Sequence, residues 1–358
     1  MSEQMIRQFM EMVQIASESG EEAEFIDYLA REFAGLGAQV QKDAYGNLVA
    51  RLPGRNSQAR EPVLFSCHGD TVKPGKGISP RLEDGVIRSA GDTILGADDK
   101  AGIAELLDAL RRAQVHPPLE IAISRQEEVG LLGVRHLDSS LLTARKGFLL
   151  DNDTLDTIIV GGPTYFGLDV SIRGRAAHAG MAPEKGINAI FAAAKAIAAL
   201  RLGRLDHETT ANVGVVSGGL IRNGVPDQAC FLAECRSLNH DKAQAVVEEM
   251  ERTIRQQVES CGAQVEIAIN NVCCAVSIAE DAWTVDIAKR ALRAVGVEAQ
   301  TAFMTGYTDA SVYNNLGIEM AVVGIGAQDE HALGEHIRVA DMEKARDMIL
   351  EIFRLTAR

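Results

Sequence analysis

The sequence predicts an α/β chain in which a larger domain, with a mostly parallel central sheet, is interrupted by a smaller ferredoxin-like domain of βαββαβ order. Three observations predict this. Short unbroken apolar runs alternate with amphipathic helical stretches in the first half. The order becomes strand, helix, strand, strand, helix, strand after Gly161-Gly162-Pro163. The first pattern resumes after residue 275.

Taken in order, Ile26, Leu29, Phe33 and Leu36 fall at helical spacing across 21–36. Runs 63–67, 119–124 and 148–150 are apolar at nearly every position, as expected of strands covered on both faces. Between the first two, Ile103, Leu106, Leu107 and Leu110 form one stripe of a helix near 100–113. In the smaller domain the strands fall near 165–173, 211–217, 228–237 and 263–269, and the helices near 186–202 and 240–260. A helix over 281–295, a strand over 319–325 and a C-terminal helix from about residue 340 complete the chain. The domains are therefore drawn as 1–163 with 274–358, and 164–273 as the insert.

Composition narrows the function classes. The chain is 46% hydrophobic and 24% charged, an ordinary globular mix without repeats or low-complexity tracts. A formal charge of -14 argues against nucleic acid and anionic membranes as partners, since both need a basic surface. The N-terminal MSEQMIRQFMEMVQ mixes charges among its apolar residues, unlike a signal peptide. The longest apolar candidate, 189–202, is too short to span a bilayer and contains Lys195 and Arg201. Cysteines 67, 230, 235, 261, 273 and 274 lack the CxxC spacing of metal sites, so reduced thiols in a cytoplasmic protein are expected.

Five short segments gather acids and histidines at the ends of predicted strands, where open α/β sheets form ligand sites. In Cys67-His68-Gly69-Asp70, Asp70 could orient His68 as a metal ligand, or His68 could be structural. Asp98 and Asp99 open the 100–113 helix, where acids also serve simply as caps. Glu127-Glu128 follows the 119–124 strand; if one acid binds a metal, its neighbour is placed to act as a general base. Asp151-Asn152-Asp153 ends the fourth run, and in 329–336 either His331 or His336 could be a ligand. The conjunction points to metal: two histidines with several carboxylates make an N/O donor set suited to zinc, with cobalt and manganese as alternatives. So many donors exceed the needs of one tetrahedral ion, which favours two divalent ions sharing a carboxylate.

These motifs in this order resemble the dizinc aminopeptidase, carboxypeptidase and aminoacylase family: His68-Gly-Asp-Thr, Gly96-Ala-Asp-Asp-Lys-Ala-Gly, Glu127-Glu-Val-Gly, Gly306-Tyr-Thr-Asp-Ala and His331-x-x-x-Glu335. LGADDKAGIAE is most similar to the peptidase T branch, although the chain is shorter than peptidase T proper. The resemblance implies Asp98 as the bridging carboxylate, with His68 and Asp151 on one ion and Glu128 and His331 on the other. It implies Glu127 as general base, Asp70 as the partner of His68, and a cis peptide between Asp98 and Asp99.

In the insert, Arg175-Ala-Ala-His178-Ala-Gly resembles the family loop whose histidine reaches a partner subunit's active site to stabilise the oxyanion. Asn223 and Arg236, thirteen residues apart, resemble its substrate-binding pair, and Gly306 joins them. Without the family, a surface salt bridge would be the preferred reading of Arg236. Asp151-Asn-Asp departs from the usual glycines, and His336 stands where an aromatic residue is common. The resemblance thus implies hydrolysis of the amide bond of small peptides, most simply by a tripeptide aminopeptidase acting as a homodimer through the insert. The alternatives are an N-acyl amino acid deacylase or dipeptidase on the same scaffold, and a non-catalytic metal-binding dimer. A nucleotide-binding reading has only Gly324-Ile-Gly326 behind it and lacks the third glycine of that fingerprint.

Overall fold

Continuous apolar sequence is what fixes the centre of the larger unit. In the computed structural model, which describes residues 3–358, the Val63–His68 and Leu119–Ser124 strands are buried at every position. Such strands require cover on both faces and therefore favour a parallel arrangement with helical crossovers. The chain divides into two compact units: 1–161 with 277–304 and 308–358, and 162–276 with 305–307.

The main sheet of the first unit runs, from one edge, Gln39–Lys42, Leu48–Leu52, Leu119–Ser124, Val63–His68, Lys146–Asn152, Glu319–Gly324, Thr157–Gly162. The middle four strands are mutually parallel. Antiparallel pairs flank them on both sides, and Gln300–Phe303 adds a parallel partner to Thr157–Gly162. The sheet is thus parallel at its centre, as expected. The consequence for function is that the carboxyl ends of four buried strands open on one edge.

Helices supply the cover. Met5, Phe9, Met12 and Val13 line the buried face of Glu3–Gln14, although no element is predicted there above. Phe25, Leu29 and Phe33 do the same for Ala23–Gly35. Val339–Thr356 brings Phe353 edge-on to Phe65, with ring centres 5.3 Å apart. Full burial of such a side chain contributes roughly 1.5–3 kcal/mol. The element Ala97–Arg112 has non-helical backbone at Asp98 and Asp99, so regular helix begins at Lys100, where the apolar stripe begins. Lys100 Nζ is fully buried and donates to the carbonyls of Met12 and Ile15 at 3.2 and 2.7 Å.

The second unit has the βαββαβ order. Thr164–Arg173, Thr209–Gly218, Gln228–Ser237 and Gln264–Cys273 pair antiparallel. The Ala189–Ala199 and His240–Ser260 helices bury Ala192, Ala193, Val247, Met250 and Ile254 against them. This is the ferredoxin-like arrangement. Short strands without periodic signal, such as Pro80–Glu83, Val86–Ser89 and His336–Arg338, form a further sheet that sequence periodicity does not reveal. Among the described residues, no helix is long and apolar enough to cross a membrane.

Candidate metal centre

Parallel strands deliver the candidate ligands to one edge. His68 is the last residue of Val63–His68, Asp151 is the penultimate residue of Lys146–Asn152, and Glu127 and Glu128 follow Leu119–Ser124. Asp98 comes from the turn that opens the Ala97–Arg112 element, and His331 from the loop after Glu319–Gly324. Asp329 and His331 have φ of +55° and +62°, a left-handed backbone uncommon in residues other than glycine. Residues held this way cluster at functional sites.

Asp98 is the centre of the cluster. Its Oδ1 lies 2.9 Å from His68 Nε2 and its Oδ2 lies 3.1 Å from His331 Nε2. His68 Nε2 is also 3.7 Å from Asp151 Oδ1, and His331 Nε2 is 3.0 Å from Glu128 Oε1. The Asp98–Asp99 peptide is cis. Glu335 fixes the turn: its two carboxylate oxygens accept the backbone N–H groups of Leu95, Gly96, Ala97 and Asp98 at 2.7, 2.7, 2.7 and 3.1 Å.

Asp99 borders the cluster but holds neither imidazole ring. Its Oδ2 accepts the backbone N–H of His68 at 3.1 Å. Its Oδ1 would be 2.4 Å from a Cβ placed on Gly102, where Leu150 O would be 2.9 Å away. The glycine in the ADDKAG segment is therefore required by the close approach of the helix to this carboxylate and to the neighbouring strand.

Asp70 organises the opposite side. Asp70 Oδ1 accepts the Glu127 N–H at 2.9 Å, and its Oδ2 accepts the Ser19 hydroxyl at 2.7 Å and the Glu128 N–H at 3.2 Å. Burial alone would raise the Asp70 pKa, but its interactions with His68, Ser19 and the backbone hold it below the usual carboxylate range. His68 Nδ1 lies 3.0 Å from the Asp70 carbonyl oxygen, which can only accept. Nδ1 therefore carries the proton, and in the neutral ring Nε2 offers its lone pair to the cluster. Glu127 is buried, and that burial pushes its carboxyl well up; His68 opposes the shift, while Asp309, Glu128 and Asp70 add to it.

The residues fit a divalent metal site. Donor atoms of His68, Asp98 and Glu128 lie within 4.8 Å of one another, as do those of His68, Asp99 and Asp151. Asp99 Oδ1 is buried without a hydrogen bond. Asp98, Glu127, Glu128 and Asp151 crowd their charges around two imidazoles, a surplus of buried negative charge that cations would offset. Hydrogen bonds to Asp98 and Glu128 push the His331 pKa up to about 11, another sign of the field that these carboxylates create. His336 lies apart from this group: its Nδ1 is 3.0 Å from the Gly334 carbonyl oxygen and 3.6 Å from Asp329 Oδ2. Asp153 is exposed.

Sequence reasoning gave no role to Asp309, although it lies in the Gly306-Tyr-Thr-Asp-Ala motif. It opens the Asp309–Asn315 helix, is wholly buried, and burial pushes its carboxyl up to about 7. An acid followed by a helical stretch reads as an ordinary cap, so no local signal distinguished it.

The remaining predicted residues belong to the second unit. His178 lies on the Ala177–His178 strand, paired with Gly224–Val225; its Nδ1 accepts the N–H groups of Gly180 and Met181 at 3.2 and 3.1 Å. The backbone carbonyl of Asn223 accepts the Ala179 N–H at 3.0 Å, so Asn223, just before Gly224–Val225, lies beside the end of the His178 strand. Arg236 stacks its guanidinium 4.6 Å from the Tyr165 ring centre and 5.7 Å from that of Tyr307. Its Nη2 donates to Glu234 at 2.9 Å and its Nη1 to the Thr305 carbonyl at 3.2 Å. Gly306 sits between Thr305 and Tyr307 in this group.

Residues 163–260 match the family model described as a peptidase dimerisation domain of the M20 peptidases. An uncharacterised Bacillus subtilis protein, YqjE, is 36% identical over 99% of this chain and 98% of its own length. The crystal structure of aminopeptidase PepT from Bacillus cereus superposes with a TM-score of 0.87 at 37% identity, covering 99% of both chains. A tripeptidase from Staphylococcus aureus superposes with a TM-score of 0.91 at 33% identity, covering 99% of this chain and 98% of the other.

Proposed function

Because the chain belongs to the peptidase T-like branch of the M20 metallopeptidase family, we propose that it is a two-metal aminopeptidase that releases the N-terminal residue from tripeptides or similar short peptides. The observation that carries this reading is the Asp98 carboxylate, whose two oxygens face two different histidines. In this reading Asp98 would be shared between two divalent ions, zinc with cobalt or manganese as substitutes. His68 and Asp151 would hold one ion, and Glu128 and His331 the other. When bound, the ions supply Lewis acidity toward the scissile carbonyl and the attacking water.

The chain's own groups do the rest. Glu127 takes the proton from the attacking water and delivers it to the leaving amine. Asp70 keeps the Glu127 backbone and the His68 ring in place. His178 donates a hydrogen bond to the developing oxyanion across a subunit boundary, an interaction worth about 3–4 kcal/mol. Arg236, with Asn223 and Gly306, receives the far end of the peptide; a guanidinium suits bidentate recognition of its carboxylate.

The homodimer rests on the insert. Along Thr209–Gly218, Val215 and Val216 are 51% and 62% exposed, and Leu220 and Ile221 beyond it are 99% and 69% exposed. Pairing with a second copy would satisfy this edge and cover its apolar residues. The same reading puts the activity in the cytoplasm, on the reduced-thiol argument above.

The test is hydrolysis of a tripeptide panel beside N-acyl amino acids by protein reconstituted with zinc, cobalt or manganese. Release of free N-terminal residues, abolished by a chelator and restored by metal, is the expected outcome. Turnover of N-acyl amino acids alone would replace this reading with a deacylase.

A further inference from the structure

At the opposite ends of the strands that carry His68 and Asp151 lies a cavity of about 290 Å³. Val63 and Lys146 begin those strands and line it, together with Arg60, Arg145, Trp283 and Arg358. Five residue steps of strand separate Val63 from His68, about 16 Å, so the cavity is a place apart from the metal cluster. Its electrostatics oppose those of the molecule. The chain carries a formal charge of -14, yet four of the side chains here are cationic and Glu61 is the single carboxylate side chain among the lining residues.

Among the described residues these cations have no carboxylate partner. Among the described residues, Arg60, Arg145 and Arg358 form no ion pair, and Lys146 engages the Trp283 ring, with its Nζ 4.8 Å from the ring centre. Surface arginines singly need no explanation. Three of them, with a lysine, around one concavity and an aromatic wall make a converging set of donors, the arrangement by which small anions are held. Guanidinium forks match the oxygens of a phosphate bidentately, and the Trp283 indole offers an apolar surface to the group that bears it.

We propose that this cavity is a second ligand site, for a small phosphate monoester. Trp283 is the only tryptophan in the sequence, so its emission reports on this place alone. The experiment titrates the metal-loaded protein with adenosine monophosphate, glycerol phosphate, inorganic phosphate and citrate while recording tryptophan fluorescence.

A saturable change with at least one phosphate monoester is expected. The apparent affinity should fall at least tenfold in Arg145→Ala and in Lys146→Met, with peptide hydrolysis unchanged in both. Arg60→Ala, at an exposed position, gives a third variant that spares the strands. The proposal is overturned if no phosphate monoester gives a saturable change. It is equally overturned if all three variants bind as the parent does, or if citrate alone binds.

Discussion

Asp70 Oδ1 accepts the backbone N–H of Glu127 at 2.9 Å, which ties the proposed general base to the residue that orients His68. One buried residue thereby bears on two neighbours at once: its carbonyl oxygen, with Oδ1 3.4 Å from the same ring nitrogen, directs the His68 imidazole, and its carboxylate places the backbone of Glu127.

Glu127→Gln keeps the volume and the backbone hydrogen bond to Asp70 but removes the proton acceptor. Metal content and thermal midpoint should stay at parental values while kcat falls by about 10²–10⁴-fold. Near-parental kcat would remove Glu127 from the mechanism.

Asp70→Ala should act differently. Loss of the oxygens that face His68, Glu127 and Glu128 should weaken metal affinity by about 10–100-fold, as removal of a ligand's orienting partner typically does. Competition with a chromogenic chelator measures this directly, and unchanged metal retention would contradict the role given to Asp70.

Glu335→Ala leaves four backbone N–H groups without their acceptor. A buried donor without a partner costs about 1–3 kcal/mol, and water entering the space left behind will recover part of the total. A loss of about 2–4 kcal/mol in denaturant unfolding is expected, with weakened metal retention because the Asp98 turn loosens. A variant as stable as the parent would show that the turn holds itself.

Gly102→Ala and Gly35→Ala form a matched pair. A Cβ at Gly102 would meet Asp99 Oδ1 at 2.4 Å and Leu150 O at 2.9 Å, whereas one at Gly35 meets nothing within 4 Å. The first should lose about 1–3 kcal/mol through overpacking. The second, at a helical position, should be neutral or gain up to about 1 kcal/mol. Equal effects in denaturant midpoints would mean that the close approach at Gly102 is tolerated by relaxation.

Val216→Glu places a charge on the exposed edge of the insert. Sedimentation should show dissociation to monomers, with peptide hydrolysis falling in parallel if His178 acts across the boundary. A monomeric variant with full activity would exclude that role for His178.

The elements legible in the sequence are those with long periods or unbroken apolar runs. Ile103, Leu106, Leu107 and Leu110 announce their helix because one face repeats every three to four residues. The βαββαβ order of the insert is legible for the same reason, through its 21-residue helix from His240 to Ser260 and its alternating strands. Val86–Ser89 and His336–Arg338 are too short for any period to show, yet His336–Arg338 directly follows Glu335 and begins where the segment that carries His331 ends.

By itself the sequence determined the fold class, the order of the acid- and histidine-bearing segments, and which strand end each follows. These depend on local side-chain pattern, which a single chain displays. Only the tertiary structure decided that Asp98 turns one oxygen to His68 and the other to His331, that Asp99 turns instead toward Gly102, and that Asp309 is buried. It also decided that Glu335 reaches back more than two hundred residues to hold the Asp98 turn. Each of these is set by the register of parallel strands brought together from distant parts of the chain. Register is a property of the packed sheet, since a carboxylate reads the same in sequence whether it faces a histidine, a helix or water.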